Sequence, residues 1–485
     1  MERYPTSTLI QMTKRQANKK IVSGIRMERM AAEGKCIGHL PDERVIFVPF
    51  TAPGDLVDVQ LHRRRKRYAE GVVDRLVEPS PHRVEPRCAH FGTCGGCKWQ
   101  HVPYRMQLDA KEQQVYDQLE RIGGLEIAEK RPILGADKVY EYRNKLEFTF
   151  SQFRWITREE LRSGEEIIDK RGLGFHLPGK FDKVLDLSEC YLMGDLNNRL
   201  RDFVKEYCMT HEGFDFYDLQ AHHGLMRMIM LRISSCGEVM VVLMFGEENP
   251  DKQDEILTAV RANFPEITSL MYVVNTKLND SIADLEVRHF SGREYIWEEM
   301  EDLRFRVGPQ SFYQTNSEQA YKLYKTVRTL ADLQPTDLVY DLYTGTGTIA
   351  SFLSKSARHV IGIEYIEEAV RDARKNADLN GLTNMEFFAG DMKDVLTDDF
   401  MAKHGRPDVI VTDPPRAGMH PSVIEVILRA APKRIVYVSC NPASQARDLQ
   451  ALKEDYDVSV GQPVDMFPQT HHVENVVLLE RKENK

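Results

Sequence analysis

From residue 306 onward, short apolar segments alternate with helix-like ones: LVYDLY, HVIGIE, MEFFAG, DVIVTD and RIVYVSC. Each apolar piece is too uniformly hydrophobic to keep one face wet, so it reads as a strand buried on both sides. Strands spaced this way need helical crossovers, which predicts an α/β, Rossmann-like, doubly wound parallel sheet for the last third of the chain. The pattern upstream differs. Over residues 45–80 it has period two (Val45, Phe47, then Val57, Val59 and Leu61) with Pro-Gly turns, the mark of a small β-barrel. The stretch from about 81 to 305 is mixed α+β: a Cys-rich knot, a polar helix over 104–121, and strand-like KLEFTF, MIMLRISS and VMVVLMFG. The highly charged run 157–172 reads as a flexible loop. A length of 485 residues fits about three domains. The expected layout is an N-terminal tail (1–16), the barrel (17–79), a central domain (80–305) and the sheet domain (306–485).

Charge narrows the function classes. With 65 Lys and Arg against 74 Asp and Glu the formal charge is -9, which excludes wrapping nucleic acid by bulk charge. Residues 1–80 nevertheless hold 15 basic against 10 acidic residues. Arg63, Arg64, Arg65, Lys66 and Arg67 fall where one barrel strand should end. They make either a solvated hairpin tip or a phosphate-contacting edge, and charge alone leaves both open. No run of 18 apolar residues is present, so no membrane-spanning helix is expected. The opening MERYPTSTLIQMTKRQANKK lacks the apolar core of a secretory signal. Eight cysteines are too few for a disulfide scaffold. A cytoplasmic protein is expected, in which clustered cysteines are metal or redox ligands.

The first strand of the sheet runs into DLYTGTGTIA, Asp341 to Ala350. Gly345 and Gly347 permit a tight turn and close approach of a ligand to the backbone, with a helix starting near Ile349. Glu364 ends the next strand, where a carboxylate can hold ribose hydroxyls, and Asp391 follows the third. This arrangement serves S-adenosylmethionine or NAD, and the later strand ends must decide between them. Strand four ends in DPPRAG, whose Asp413 and stiff backbone can hold a planar base; a proline-stiffened crossover is the plainer reading. Strand five ends in YVSCNP, placing Cys440 at the same edge. A lone Cys after a strand is more often inert, yet a thiolate there can act as a nucleophile. Glu474 opens an apolar strand 34 residues later, either as an exposed residue or as a general base. His471 and His472 lie close by without an assignable role.

One reaction needs both groups. C5 of uracil becomes nucleophilic only after C6 is attacked, and a thiol makes that attack reversibly. After methylation the C5 proton must leave before the thiol can be eliminated, which requires a base. A nucleotide attacked on its edge has to be unstacked, so single-stranded or flipped RNA is the expected partner. On DPPRAG, SCNPAS, the terminal H-x-E strand and FYQTN (312–316), nearly the whole chain resembles the RNA uracil-C5 methyltransferases, which form 5-methyluridine in transfer and ribosomal RNA. The resemblance implies Cys440 as the C6 nucleophile and Glu474 as the proton-abstracting base. It also implies that Gln314, Tyr343, Glu364 and Asp413 contact S-adenosylmethionine, with Asp391 in the same pocket. The family often has Ala where Pro415 stands and Phe where Tyr343 stands, and neither change removes a catalytic group. Cytosine-C5 methylation is disfavoured because Arg416, not Cys, follows the prolines. Intact Cys440 and Glu474 disfavour a non-catalytic RNA-binding protein.

CAHFGTCGGC supplies Cys88, Cys94 and Cys97, a C-x5-C-x2-C run with one ligand missing. The resemblance supplies Cys190 as the fourth. Four thiolates also suit zinc, but in the similar ribosomal-RNA enzymes such a set holds a [4Fe-4S] cluster, which is the expectation here. The barrel resembles a TRAM domain, an OB-like RNA clamp. Ribosomal RNA is the favoured substrate, transfer RNA the alternative; no membrane or protein partner is implied.

Overall fold

The computed structural model describes residues 20–483, so the expected tail over 1–16 lies outside the described residues. The chain divides into two compact units. One contains the described part of Met1–Arg87 together with Gly96–Ala110 and Gln469–His471; the other contains Cys88–Gly95, Lys111–Pro468 and His472–Lys485.

The first unit is a closed five-stranded barrel of β1 (Ile21–Met30), β2 (Lys35–His39), β3 (Val45–Pro49), β4 (Leu56–Arg64) and β5 (Tyr68–Glu78), in the order β1-β2-β3-β5-β4. The alternation seen in the sequence sends Val57, Val59 and Leu61 inward, where they pack with Ile46, Val48 and Trp99. Full closure leaves no unpaired sheet edge. The Pro-Gly turn before β4 is fixed by Asp55, whose buried carboxylate accepts from the backbone of Ala52 (2.6 Å) and Ser80 (2.8 Å) and pairs with Arg83 at 2.8 Å. The basic run sits at the β4–β5 hairpin, exposed from Arg63 to Arg67 and closed by the Arg65 amide donating to Tyr68 at 2.8 Å. A helix over Tyr104–Arg121 and strand β6 (Ile127–Lys130) follow.

The second unit holds two large sheets. In the central one, β7 (Lys145–Ser151), β8 (Gly172–Leu177), β9 (Lys180–Asp186), β10 (Met226–Ile233), β11 (Val239–Phe245), β12 (Ile267–Val274) and β13 (Val287–Gly292) lie in the order β13-β12-β11-β10-β7-β8-β9. The run expected to be a loop contains a helix, Arg158–Ser163. Thr157 accepts from the Glu160 amide and the Glu160 side chain reaches back to the Thr157 amide. This reciprocal cap satisfies two helix-end donors and outweighs the unfavourable charge density. A hairpin of β14 (Ile296–Met300) and β15 (Leu303–Val307) leads on to the helix Ser317–Ala331.

The last sheet comprises β16 (Leu338–Leu342), β17 (His359–Glu364), β18 (Met385–Ala389), β19 (Val409–Thr412), β20 (Arg434–Ser439), β21 (Tyr456–Val464) and β22 (Glu474–Arg481), ordered β18-β17-β16-β19-β20-β22-β21-β6. The five strands β16 to β20 are parallel, as the hydrophobic runs predicted. The direction of winding reverses between β16 and β19, which opens a crevice at their carboxyl ends. The parallel expectation stops there. Strand β22 inserts between β20 and β21 and runs antiparallel to both, so its first residue lies at the edge where the parallel strands end. The helices Ser317–Ala331, Thr348–Ser354 and Glu367–Leu379 contribute to a core continuous with the central sheet. Among the described residues no helix is long and apolar enough to cross a membrane.

Candidate active site

Strand β16 delivers the glycine loop. Tyr343 has φ +63°, Gly345 +56° and Gly347 +76°. A tyrosine in this left-handed region costs about 1–2 kcal/mol, so the surrounding contacts must hold it there. A side chain at Gly347 would lie 3.0 Å from Ala373 Cβ, whereas one at Gly345 would meet nothing within 4 Å. Gly347 thus lets the following helix close onto the sheet, and Gly345 borders open space. Glu364 anchors the loop by accepting from the amides of Gly345 (3.1 Å) and Ile366 (2.9 Å). Asp391 caps the short helix after β18, accepting from the Lys393 amide at 3.2 Å and pairing with its ammonium at 3.2 Å. Those bonds hold its carboxyl below the ordinary range.

Asp341 is 1% exposed; Thr344 donates to it at 2.6 Å, while its Oδ1 is buried without a hydrogen-bond partner. Burial pushes it up to about 7, with Asp413 adding to the effect. Gln314 lies half-buried in the irregular segment before the helix Ser317–Ala331. Thr346 donates to the Phe312 carbonyl at 3.5 Å, so this segment runs beside the glycine loop. A cleft of about 520 Å³ opens next to both and is lined in part by Phe312, Thr346 and Ile366.

The reactive edge is built by one ladder. Strands β20 and β22 pair from Arg434 with Glu480 to Ser439 with Asn475, so the next rung sets Cys440 opposite Glu474. Gln445 fixes that register. It donates to the carbonyls of Tyr437 (3.0 Å) and Asn475 (3.3 Å) and accepts from the Asn475 side-chain amide at 2.8 Å. The DPPRAG loop is held as firmly. Asn441 and Ser444 each donate to the Arg416 carbonyl at 3.0 Å, and the buried Asp448 accepts from the Met419 amide at 2.7 Å.

Charges converge where these pieces meet. Burial pushes Asp413 up to about 7. Burial, and then Glu474 and Asp413, push the Cys440 thiol up to about 11, against the guanidinium of Arg416, which hydrogen-bonds the sulfur. Glu474 is 6% exposed and pushed well above the ordinary carboxylate range, by burial first and by Asp413 second, with Arg416 again opposing. Burial disfavours the charged form of both Cys440 and Glu474, and Arg416 is the cation that opposes it at both. The structure thus brings Cys440, Glu474, Asp413 and Asp341 together, with Tyr343 on the adjoining loop and Glu364 at the end of β17. His472 turns toward the ring of Phe467 (6.3 Å between centroids), away from any assigned role.

The cysteine set is placed in part. Cys88, Cys94 and Cys190 lie in the second unit, close enough that Cys94 and Cys88 add to the burial that pushes Cys190 up to about 11. Cys97, buried, belongs to the first unit. Among the described residues no three His, Cys, Asp or Glu side chains are drawn together as they would be around a single metal ion.

Against known proteins, residues 286–482 match the tRNA (uracil-5-)-methyltransferase family model and residues 25–73 the TRAM domain model. An RNA methyltransferase of Porphyromonas gingivalis, itself uncharacterized, is 56% identical over 93% of this chain and 98% of its own length. An uncharacterized RNA methyltransferase of Bacteroides thetaiotaomicron is 55% identical over 93% and 100%. The chain belongs to the RNA (uracil-5-)-methyltransferase family. The fold agrees: the crystal structure of a Pyrococcus abyssi tRNA (uracil-54, C5)-methyltransferase in complex with S-adenosyl-L-homocysteine matches with a TM-score of 0.71. That protein is 31% identical, and the match covers 94% of this chain and 100% of that one. In this methyltransferase the barrel is the TRAM domain that the basic N-terminal segment resembled.

Two residues of the methyltransferase site escaped the sequence reading. Arg416 stood inside DPPRAG, but Cys440 and Glu474, whose raised states it opposes, lie on other strands, so the sequence carried no signal of their meeting. Tyr324, on the helix Ser317–Ala331, is buried beside Asp413, Asp341 and Glu474, which add to the burial that raises its phenol. Its spacing on an amphipathic helix carried no signal beyond a place in the core.

Proposed function

We propose that the enzyme transfers a methyl group from S-adenosylmethionine to C5 of a uridine in ribosomal RNA, with Cys440 as nucleophile and Glu474 as base. The observation that carries this reading is the β20–β22 ladder, whose continuation by one rung sets the Cys440 thiol opposite the desolvated Glu474 carboxyl at the mouth of the crevice. Cys440 loses its thiol proton to solvent, its Sγ lone pair bonds to uracil C6, and the C5–C6 π pair moves onto C5 and O4. C5 takes the methyl group from the donor's sulfonium, releasing the thioether. Glu474, as carboxylate, then removes the C5 proton, and the C–H electrons restore the C5–C6 bond as the sulfur leaves. Arg416 favours the charged form of both Cys440 and Glu474, and so lowers the cost of each ionisation in a dry site.

Gln314, Tyr343, Glu364, Asp391 and Asp413 are assigned to the donor pocket. The amides that Glu364 now accepts lie at the end of a strand in this sheet type, where ribose hydroxyls are bound. The buried Oδ1 of Asp341, lacking a partner, marks polar capacity there that a ligand can use. The domain layout 17–79, 80–305 and 306–485 corresponds in this reading to RNA clamp, central platform and methyl-transfer domain of a cytoplasmic enzyme.

For the cysteines, the donor chemistry favours a [4Fe-4S] cluster held by Cys88, Cys94, Cys97 and Cys190. Four thiolates also suit zinc, which is the competing reading. Such a cluster would order the segment around it and supply no step of methyl transfer. A second substrate reading, transfer RNA, draws on the likeness to the Pyrococcus abyssi enzyme.

The deciding experiment is Glu474→Gln with unmodified RNA and labelled donor. It should still methylate C5 but release product poorly, so that a covalent protein–RNA adduct accumulates on denaturing gels. Absence of any adduct under turnover conditions would remove Glu474 as the base. Running ribosomal and transfer RNA from a strain lacking the enzyme side by side identifies the substrate.

A further inference from the structure

We infer that Asn144 is a positioning residue for Gln314, an inference that rests on the reading of Gln314 as a contact of the methyl donor. Residues 308–316 belong to neither β15 nor the helix that follows. Their backbone groups have no ladder to join and must be held by other partners. Asn144, just before β7 in the central sheet, meets much of that need. Its own amide donates to the Thr315 carbonyl at 2.8 Å, and its side-chain amide donates to the Gln314 carbonyl at 2.9 Å and to Ser317 Oγ at 2.8 Å. Its carbonyl accepts from Ile233 on β10 at 2.9 Å. One buried residue thus ties the central sheet to both sides of Gln314, and uses both N–H groups that only an amide side chain offers in this geometry.

A polar cluster supports this junction from below. Ser317 Oγ lies 3.3 Å from both oxygens of Glu298, which is fully buried and accepts from the Ser235 amide at 3.0 Å. Arg232, also buried, donates to the Ser311 carbonyl at 3.2 Å, while its Nε and Nη1 and the Tyr313 hydroxyl are buried without partners. Burying these groups costs stability relative to an apolar core of the same volume. The return is a fixed location: the irregular segment is pinned at Ser311, Gln314, Thr315 and Ser317, four points in seven residues.

The test is a double-mutant cycle on the full-length protein, reading the affinity for S-adenosylhomocysteine by calorimetry without RNA. Asn144→Ala should weaken binding by about tenfold in the native background and by less than about twofold in a Gln314→Ala background. Binding of RNA should be unchanged. Should Asn144→Ala fail to fold, Ser317→Ala removes the Ser317 Oγ contacts with Asn144 and Glu298, leaves the Asn144 bonds to Gln314 and Thr315 in place, and should show about threefold weakening with the same loss of additivity. Equal weakening in both backgrounds, or none in a folded protein, overturns the positioning role. A Gln314→Ala protein with native affinity would instead overturn the donor contact itself, and the inference with it.

Discussion

Burial raises the thiols of Cys440 and Cys190 to the same level, about 11, yet the side chains around the two differ. Cys440 stands one residue past a strand whose register is fixed by Gln445 and Asn475, and its neighbours are carboxyls and a guanidinium. A proton leaving that sulfur has acceptors at hand and a cation to favour the thiolate. Around Cys190 the side chains that weigh most after burial are two further thiols, Cys94 and Cys88, each of which discourages the others from ionising. Arg201 opposes them in part, and the positive charge of a metal centre would favour the thiolate form of such a set further. The height of a thiol's pKa therefore does not distinguish nucleophile from ligand; the identity of its neighbours does.

The comparison breaks most decisively at Cys440. Cys440→Ala should lower methyl transfer by about 10⁴-fold and abolish the covalent adduct, since no other group at the crevice can attack C6. Labelled-donor incorporation at the native rate would mean that the covalent route is wrong.

Arg416 tests what separates the two thiols. In the proposed mechanism Cys440 and Glu474 both work as anions, and both are raised, so turnover should climb with pH through the neutral range and above it. Arg416 lowers both groups. Arg416→Met should therefore move the rising limb to higher pH by about one unit and cost about tenfold at pH 7, with the deficit shrinking only as the pH approaches the raised thiol range. A uniform loss at every pH would show that Arg416 holds RNA and does not tune the thiol.

How much of this was legible in advance follows from the range of each interaction. The glycine loop, Asp413, Cys440 and the TRAM-like barrel are local patterns, and the structure places them where the patterns said. The adjacency of Cys440 and Glu474 is not local. Apolar strands β21 and β22 carry no mark of which neighbour they join, so nothing in the sequence showed β22 inserting antiparallel beside β20. Arg416 was missed because attention went to the stiff prolines before it. Asn144 was missed because one polar residue ahead of an apolar strand looks like any strand entry. The helix Arg158–Ser163 was missed although Thr157 and Glu160 stand at the spacing of a capping box; the charge run around them was read first.

The ligand-type thiols should respond more weakly. Cys190→Ser should leave methyl transfer to a short single-stranded RNA close to native and lower it about fivefold on long folded RNA, because a structural centre acts through the order of its surroundings. Protein purified without oxygen should be brown, and the variant colourless. A colourless native protein carrying stoichiometric zinc would assign the site to zinc.

The smallest effect concerns the basic hairpin, where the sequence left two readings open. Arg63 lies 3.7 Å from Glu70 and is partly neutralised, so the test belongs to Arg64, Arg65, Lys66 and Arg67. All four are exposed at the turn, and replacing them with Gln should change stability by less than about 0.5 kcal/mol. If the hairpin binds phosphates, RNA affinity falls about threefold at physiological salt, and the slope of log affinity against log salt shrinks by about 0.7 for each phosphate of single-stranded RNA that is no longer neutralised. If it is a solvated tip, the slope stays as it was. The change in slope is the better measure because it counts only the counterions that these four side chains release, whereas the affinity also includes every other contact with the RNA. It also explains why a formal charge of -9 is compatible with an RNA substrate: acidic residues more than a Debye length of about 8 Å from the backbone are screened, and only the cations that touch it are counted.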